Sequence, residues 1–337
     1  MMGATPSSSD VSIDASVVIC AYTLARWDDL VAAVASLERQ TVASREVIVV
    51  VDHNDELLEM VRGHLPRVVA IENTEQRGLS GARNSGIALA QGRIIAFLDD
   101  DAVAGPDWLA IQAAAYQDPT VVGVGGSIEP LWPGSRLGWF PDEFAWVVGC
   151  TYRGMPTTAA PVRNLIGCNM SFRREVFDRV ARFRSGVGRV GTRPVGCEET
   201  ELCIRVGKAW PDKALLYEPR AAVRHRVSPE RATWRYFRQR CFSEGLSKAQ
   251  IAMEVGSKHA LSSEMSYTTR VLPQGILRNV RQALLLRHSL ASLAQAAAIA
   301  AGLAITAVGY GCGKLTAPPD TRPTRAEPRR EAQPLHL

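Results

Sequence analysis

The chain has 337 residues, of which 46% are hydrophobic and 22% are charged. This composition is ordinary for a soluble globular protein, and it excludes a wholly disordered chain, a collagen-like fibre and a polytopic membrane protein. The formal net charge of +5, from 39 basic and 34 acidic residues, is too small to indicate a nucleic-acid-binding protein. We expect one large domain with an appendage, and no nucleic acid as a partner.

The N-terminal residues 1–14 are polar and rich in serine, which predicts a disordered arm. They contain no basic stretch followed by an apolar one, so no secretory signal is expected. The seven cysteines form no C-x-x-C pair and their number is odd, which disfavours a zinc site and a secreted disulfide framework. These features predict that the catalytic part of the chain acts in the cytoplasm.

Short apolar runs alternate with helical patterns from residue 16 onwards. The runs are rich in β-branched residues and lie at 16–20, 46–51, 67–71 and 94–98. The segment 28–40 places Leu30, Val34 and Leu37 on one face of a helix, and a second helix is predicted at 80–90. This alternation is typical of an open α/β sheet with parallel strands.

The turn after the first predicted strand excludes two common nucleotide-binding folds. A dinucleotide-binding Rossmann unit requires G-x-G-x-x-G at this point, and a P-loop requires its own glycine-rich signature. The sequence has no glycine between Ile19 and Gly63, so neither motif follows this strand. The missing glycine-rich loop also disfavours a nucleotidyltransferase, which is one of the functions that a nucleotide-binding α/β protein could have.

Two later segments can contact a nucleotide. Asp52 follows the second predicted strand, where its carboxylate can accept hydrogen bonds from a base or a ribose, or can cap a turn. In the segment 76–86, Gly78 and Gly81 offer backbone amides, and Arg83 can neutralise a diphosphate. The same segment is also consistent with a Gly-Ser turn that opens a helix.

Three consecutive carboxylates, Asp99, Asp100 and Asp101, end the fourth predicted strand. Side chains alternate along an extended backbone, so Asp99 and Asp101 are expected to point the same way and Asp100 the opposite way. Two converging carboxylates repel each other unless a cation lies between them, and Mg²⁺ or Mn²⁺ suits such oxygen ligands. The alternative interpretation is a turn in which one aspartate caps a helix that begins near residue 106.

Further chemistry is indicated in the second half of the chain. Glu198, Glu199 and Glu201 cluster at a predicted helix start, where they either complement the helix dipole or supply a general base. His225 is either a packed histidine or a metal ligand. It lies in the segment 224–240, which carries six Arg against one acid.

Together, these motifs resemble the family 2 glycosyltransferases with the GT-A fold. The resemblance covers residues 15–245 and rests on SVVICAYTLARWDD, VIVVVDHND, GLSGARNSG, FLDDDAV, GCNMSFRREVF and GCEETELCIRV, in the order usual for the family. It implies an open, mostly parallel sheet flanked by helices. It also implies inverting transfer of a sugar from a UDP- or GDP-type donor, with Mg²⁺ or Mn²⁺ as cofactor.

The resemblance also implies roles for individual residues. At the donor site, Ala21 and Tyr22 flank the nucleotide base, Asp52 binds the base, and Arg83 lies near the ribose or the phosphates. The D-x-D element comprises Asp99 and Asp101, with Asp100 between them in the donor site; Asp101 is the expected direct metal ligand.

The resemblance also assigns residues to the acceptor site, to the metal and to the general base. Asn169 borders the acceptor site, and His225 approaches the metal. The general base is Glu199, where the family commonly has an aspartate, so the adjacent Glu198 is kept as a second candidate. A non-catalytic nucleotide-sugar-binding protein remains the second alternative function, although the Asp cluster and the Glu pair are both intact.

The C-terminal part differs from the rest in composition. Residues 289–313 carry no charge, and Arg270, Arg278, Arg281 and Arg287 precede them. This pattern predicts a helical, membrane-associated segment at 246–313 on the cytoplasmic face, or a buried helical hairpin. A lipid-linked or cell-envelope glycan would then be the acceptor. Residues 314–337 are rich in proline and predict a disordered tail.

Overall fold

The computed structural model describes residues 12–180, 182–184, 198–255, 265–285 and 289–316. The first part of the chain alternates strand and helix as predicted: β1 (Ser12–Ala21), α1 (Trp27–Glu38), β2 (Ala43–Val51), α2 (Asp55–His64), β3 (Val69–Glu72), α3 (Leu79–Leu89) and β4 (Ile94–Asp99). Since β1 begins at Ser12, residues 12–14 of the expected disordered arm belong to a strand. Residues 1–11 lie outside the described ranges.

The second part of the domain is less regular. Its elements are β5 (Ala102–Ala104), α4 (Trp108–Ala115), β6 (Val121–Leu131), a 3₁₀ segment (Asp142–Val148), β7 (Ala160–Val162), β8 (Asn169–Arg173), α5 (Arg174–Arg179), α6 (Glu198–Ala209) and β9 (Ala214–Arg226). A short 3₁₀ turn (Leu24–Arg26) precedes α1.

The strands form one sheet in the order β3-β2-β1-β4-β8-β6-β9-β5, with β7 paired to β9. Strands β1 to β4 pair in parallel, as expected, but β8 is antiparallel to both β4 and β6. The sheet is therefore mixed rather than mostly parallel, because β8 enters its centre from a loop and not through a helical crossover. This direction brings Asn169, the first residue of β8, opposite Leu98 near the end of β4.

Alternating strand residues supply two core layers. Val17, Ile19 and Val49 pack towards α1 and α2, whereas Val18 and Val50 pack towards α3 on the other face. Each fully buried aliphatic side chain contributes about 1.5–3 kcal/mol to the free energy of unfolding relative to an exposed one, so packing on both faces stabilises the sheet. The carboxyl ends of β1, β2 and β4 consequently lie side by side at one rigid edge.

Three helices complete the described chain: α7 (Trp234–Val255), α8 (Leu272–Leu284), which follows a π-helical turn (Tyr267–Val271), and α9 (Ser289–Thr316). Because α7 is continuous across residue 245, the domain boundary expected there lies inside a helix. A side chain at Gly245 would collide with the backbone of α9 at Thr306, and one at Gly309 would collide with Phe242. The two helices are thus in backbone contact, and α9 packs against the catalytic domain.

The helix α9 is also apolar enough for a membrane. Leu290–Leu315 has a mean hydropathy of 1.8 over its most apolar stretch and is long enough to cross a bilayer. Only 28% of that stretch is buried, so α9 is not an ordinary core helix. Of the predicted tail, residues 314–316 continue α9 and residues 317–337 lie outside the described ranges.

Candidate functional site

Two cavities lie at the carboxyl edge of the sheet. The smaller cavity, of about 280 Å³, is bounded by the ends of β1, β2 and β4 and by the start of α3. The larger cavity, of about 570 Å³, lies between this edge and the C-terminal helices. Leu79 and Asp99 line both, so the two cavities meet at the end of β4.

Asp52 is held rigidly in the wall of the smaller cavity. Its carboxylate accepts hydrogen bonds from Asn73 Nδ2 at 2.6 Å and from the backbone N–H of Gly78 at 3.0 Å. It does not cap the following helix, since Asn54 accepts from the backbone N–H of Leu57 and performs that function. The next residue, His53, has a φ of 52° and lies in the left-handed region, which marks a tight turn at this edge.

The end of β1 and the residue after it form part of the wall of the smaller cavity. Ala21 and Tyr22 line it, and Tyr22 is 40% exposed. The Arg26 guanidinium lies 5.4 Å from the centre of the Tyr22 ring in a cation–π contact. A planar ring beside a rigid carboxylate is an arrangement that suits stacking and hydrogen bonding of a nucleobase, and the base-binding roles of Ala21, Tyr22 and Asp52 stay predictions.

The three aspartates do not alternate as predicted. Strand β4 ends at Asp99, and Asp100 and Asp101 lie in a turn. Arg26 Nη1 contacts Asp100 Oδ1 at 2.8 Å and Asp101 Oδ2 at 3.1 Å, so these two carboxylates converge on one guanidinium. The expectation that Asp100 points away is wrong, because the alternation holds only while the backbone is extended. Burial, and then the charge of Asp101, raise the pKa of Asp100 to about 7.

Asp101 faces His225. The pairing of β5 with β9 sets His225 opposite Ala102, and His225 Nε2 lies 3.1 Å from Asp101 Oδ1. Arg231 is 3.7 Å from the other oxygen of the same carboxylate. Although burial acts in the opposite direction, His225 and the two arginines hold the pKa of Asp101 below its usual range. Likewise, burial alone would lower the pKa of His225, but Asp101 raises it to about 10.

A set of possible metal ligands lies at the junction of the cavities. Oxygen, sulfur and nitrogen atoms of Asp99, Cys168 and His225 are all within 4.8 Å of one another, and Asp101 contacts the same histidine. Carboxylate oxygens suit Mg²⁺ or Mn²⁺, and imidazole is also a common ligand of divalent metals, so these residues fit a divalent cation. Cys168 was missed in the sequence, where an isolated cysteine gives no signal for a ligand.

Arg83 lies in the wall of the larger cavity, close to the end of β4. It is almost completely buried, donates from Nη1 to Glu198 Oε1 at 3.0 Å and from Nη2 to the Gly167 carbonyl at 3.1 Å, and lies 3.6 Å from Asp99. It lines the larger cavity but not the smaller one. Arg83 therefore links Asp99 to Glu198, and its expected place near the ribose or the phosphates stays a prediction.

The cations that do line the smaller cavity are Arg26 and Arg77. Arg77 Nη2 donates to the carbonyl of His53 at 3.1 Å. Sequence reasoning missed both residues. The signal was available for Arg77, which directly precedes Gly78 in the segment 76–86, whereas Arg26 depends on the conformation of the turn after β1.

The two adjacent glutamates have different surroundings. Glu198 is buried and paired with Arg83, whereas Glu199 is partly exposed and lines the larger cavity. Burial, and then the charge of Glu198, raise the pKa of Glu199 to about 8. Glu201 is buried and pairs with Arg205 at 2.7 Å, which is a structural role. Of the three carboxylates, Glu199 has the surroundings of a general base that is active near neutral pH.

The Asn169 side chain does not reach either cavity. It is fully buried, accepts hydrogen bonds from Trp108 Nε1 and Gln112 Nε2, and donates to the carbonyls of Ser127 and Ala221. The hydrogen bonds of its side-chain amide thus hold together the strands and the helix at the centre of the sheet. The expected acceptor segment still borders the larger cavity, but through the preceding Gly167 and Cys168.

The C-terminal helices add residues to the larger cavity that no motif identified. Charged side chains come from α7 and the preceding turn, and aromatic ones come from several elements: Arg231, Tyr236, Arg240, Glu244, Lys248, Tyr267 and Tyr310. The excess of arginine in the segment 224–240 was the one sequence signal for this wall. It could not show which arginines face inwards.

Comparisons with known proteins agree with this geometry. The model of the family described as Glycosyl transferase family 2 matches residues 16–181. A glucosyl-dolichyl phosphate glucuronosyltransferase from Haloferax volcanii is 33% identical over 305 residues, which cover 89% of this chain and 96% of the relative. A UDP-Glc:alpha-D-GlcNAc-diphosphoundecaprenol beta-1,3-glucosyltransferase from Escherichia coli is 33% identical over 90 residues, which cover 26% of this chain and 34% of the relative.

Among solved structures, a mannosyltransferase from Pyrobaculum calidifontis in complex with GDP-Man and Mn²⁺ has a similar fold. Its TM-score is 0.53 at 17% identity, over 90% of this chain and 89% of that chain. The fold, the family match and a relative similar over nearly its whole length all agree with the resemblance seen in the motifs. The chain belongs to glycosyl transferase family 2, and it is a glycosyltransferase.

Proposed function

We propose that this glycosyltransferase moves a sugar from a nucleotide-diphosphate donor to a hydroxyl of a lipid-linked glycan, with inversion at the anomeric carbon. The observation that carries the proposal is the junction of the two cavities at Asp99. One cavity has the chemistry of a nucleotide site, and the other contains a carboxylate suited to act as a base. Relatives from Haloferax and Escherichia act on glycans linked to dolichyl phosphate and to diphosphoundecaprenol.

The smaller cavity would hold the UDP or GDP part of the donor. Tyr22 offers a face for the base and Asp52 a fixed acceptor, while Arg77 supplies positive charge for the diphosphate. Arg26 pairs with Asp100 and Asp101 and so reduces the repulsion between these carboxylates and the diphosphate. Guanidinium groups form bidentate hydrogen bonds with phosphate oxygens, which gives both charge and orientation. The donor sugar would then lie at the junction, beside Asp99.

A bound Mn²⁺ or Mg²⁺ would be held by Asp99, Asp101 and His225, and would supply electrostatic stabilisation of the diphosphate leaving group. Arg26 already offsets the charges of Asp100 and Asp101. Asp99 is the least buried of the three and lines both cavities, so it is the carboxylate best placed to contact donor and cation together.

Glu199 would act as the general base. Its carboxylate accepts the proton from the acceptor hydroxyl as that oxygen forms a bond to the anomeric carbon. The bond from this carbon to the diphosphate breaks on the opposite face, so a single displacement inverts the configuration. Arg83 holds Glu198 through an ion pair, and the negative charge of Glu198 keeps the proton affinity of Glu199 high.

We also propose that the protein associates with the cytoplasmic face of a membrane through α8 and α9. Several large apolar side chains of these helices are exposed: Leu277, Leu284, Leu285, Leu290, Leu293, Val308 and Leu315. Arg281 of α8 and Arg270 of the preceding π-helical turn are exposed near them, as suits anionic lipid headgroups. A surface of this kind is unfavourable in water and favourable in a lipid interface.

A full bilayer crossing is disfavoured by the partner helix. Contacts of α9 with α7 extend from Gly302 and Phe237 to Gly313 and Ala249. Over the same length, α7 carries Arg238, Arg240, Glu244 and Lys248. Charges in a bilayer centre cost several kcal/mol each, so we propose that α9 lies in the interface with its outer face in the lipid.

The test uses the purified full chain, a panel of UDP- and GDP-sugars, Mn²⁺ and a polyprenyl-phosphate-linked sugar. The expected result is release of nucleoside diphosphate with a disaccharide product whose new linkage is inverted by NMR. Release of pyrophosphate would indicate a nucleotidyltransferase, and donor binding without release would indicate a binding protein. A retained configuration would overturn the single displacement.

A further inference from the structure

We propose that the larger cavity contains a binding site for the acceptor's lipid phosphate; this proposal rests on the proposed lipid-linked acceptor. Arg240 and Lys248 of α7 would bind the phosphate that joins the glycan to its polyprenyl chain. The apolar wall formed by α9 and the π-helical turn would bind the first part of that chain. This assigns a function to residues that neither the donor motifs nor the catalytic carboxylates explain.

The charged part of this site is a row on one helix face. Arg240, Glu244 and Lys248 are spaced four residues apart, so they lie on the same side of α7. Arg240 Nη1 is 2.9 Å from Glu244, and Lys248 Nζ is 3.4 Å from the other oxygen of the same carboxylate. One glutamate therefore holds two cationic heads near each other, and both line the cavity.

The burial of these groups points to a ligand rather than to a solvated helix face. The side chains of Arg240, Glu244 and Lys248 are only 13%, 14% and 16% exposed. Glu244 compensates only one of the two positive charges, so the row keeps a net charge of +1 in the cavity wall, and a bound phosphate would offset that charge. By contrast, Arg238 of the same helix is exposed and does not line the cavity.

The position of the row relative to the reacting groups fits a phosphate on the acceptor. Asp99 and Glu199 lie in the same cavity, so one continuous molecule can reach both the base and the row. Arg231 lines the cavity as well and lies 3.7 Å from Asp101, at the catalytic end. The proposed nucleotide diphosphate site has Arg77 in the smaller cavity, so a phosphate bound at the row on α7 would be a second one, in the larger cavity.

The remaining wall is suited to a hydrocarbon chain. Tyr267 and Leu272 line it from one side, and Leu303, Ala307 and Tyr310 line it from α9, at spacings that share one helix face. Other side chains of α9, including Leu290 and Leu315, are exposed to the exterior. The same helix thus connects the cavity with the apolar outer surface, and a soluble glycan would need neither feature.

The experiment compares two acceptors that carry the same sugar, one linked through phosphate to a short prenyl chain and one an octyl glycoside without phosphate. In the wild type, kcat/KM is expected to be higher for the phosphate-linked acceptor. Arg240→Gln and Lys248→Gln should each lower this preference by about 10- to 100-fold, the effect of losing one charged hydrogen bond. The value of kcat/KM for the octyl glycoside should fall by a smaller factor, because that acceptor has no phosphate for the lost charge to bind.

Two further variants serve as controls. Arg238→Gln removes an exposed charge from α7 and should leave the preference as in the wild type. Arg240→Lys keeps the charge and should restore part of it, which a merely structural role of Arg240 would not require. Thermal unfolding of each variant establishes whether a loss of activity reflects a loss of fold.

Binding measurements separate this proposal from the proposed function. By isothermal titration, geranylgeranyl phosphate should bind the wild type more tightly than geranylgeraniol or inorganic phosphate, and Arg240→Gln should remove that difference. If the wild type transfers sugar but the variants keep the phosphate preference, this site is wrong and the proposed function stands. If transfer to both acceptors is absent but phosphate-dependent binding is seen, the proposed function fails and the site stands.

Discussion

The two cavities of this glycosyltransferase are built from different parts of the chain, and they differ in how local their chemistry is. The smaller cavity is formed by turns that directly follow β1, β2 and β4, so its residues lie within short motifs. The larger cavity combines α6, the 3₁₀ segment and three C-terminal helices, from residues far apart in sequence. The proposed nucleotide site can therefore be predicted largely from residues at the strand ends, whereas the proposed acceptor site depends on helix packing.

The largest expected effect comes from Glu199, which belongs to the larger cavity. Glu199→Gln keeps the size of the side chain but removes the proton acceptor, so kcat should fall by a factor on the order of 10² to 10⁴. Donor affinity, measured by isothermal titration, should stay as in the wild type. Loss of donor binding together with turnover would show that the two cavities are not functionally separate.

The matched variant is Glu198→Gln. Glu198 pairs with the buried Arg83, so its neutralisation leaves a buried charge poorly compensated and should cost about 3 kcal/mol of unfolding free energy. We expect Glu198→Gln to lower the melting temperature and Glu199→Gln not to lower it. Equal catalytic losses in two equally stable variants would contradict the division of roles between the adjacent glutamates.

The raised pKa of Glu199 gives a pH dependence with a defined sign. With a pKa of about 8, the base is charged in roughly 1% of molecules at pH 6 and in half at pH 8, so kcat/KM should rise about 50-fold over that interval. Glu199→Gln should abolish this rise of kcat/KM between pH 6 and pH 8. A wild-type rate that does not vary between pH 6 and pH 8 would exclude Glu199 as the titrating base.

The same shift predicts a trade-off between activity and stability. Between the usual carboxyl pKa of 4.5 and the raised value of about 8, the unfolded state binds fewer protons at this group than the folded state, so stability falls as the pH rises. At pH 8, Glu199→Gln should consequently melt at a higher temperature than the wild type. The difference should disappear below pH 4.5, where the group is protonated in both states.

Metal removal tests the junction between the cavities. Chelation with EDTA, or Asp99→Asn, should weaken nucleotide-sugar binding by at least about tenfold, since Asp99 would contact both donor and cation. The octyl glycoside acceptor should lose no affinity. Undiminished donor binding in EDTA would exclude a cation bridge between the donor and Asp99, and would leave Arg77 as the cation for the diphosphate.

The smallest effect on the folded protein is expected at the outer surface of α9. Replacing Leu290, Leu293 and Leu315 together by glutamine should sharply reduce flotation with anionic vesicles, while each exposed site changes stability by no more than about 0.5 kcal/mol. Leu89→Gln, at an exposed position of α3, is the control and should float normally. Flotation of the triple variant at the wild-type level would remove the support for α9 as the membrane-contacting helix.

The sequence by itself determined the α/β class, the first four strands and the family, because apolar periodicity and short motifs are properties of neighbouring residues. It also located Asp52, the Asp cluster and the Glu pair, since each directly follows or opens a regular element. The tertiary structure decided the rest. It placed Arg26 between Asp100 and Asp101, turned Arg83 towards Glu198, and buried Asn169 in the centre of the sheet.

These outcomes depend on contacts between residues more than 40 positions apart, which no local pattern encodes. Arg26 meets Asp100 because β1 and β4 are adjacent strands, and His225 meets Asp101 because β9 pairs with β5. The composition of residues 289–313 likewise allowed either a membrane segment or a buried helix. Only the backbone contact of Gly245 and Gly309 between α7 and α9 decided that this helix packs on the catalytic domain and helps to line its larger cavity.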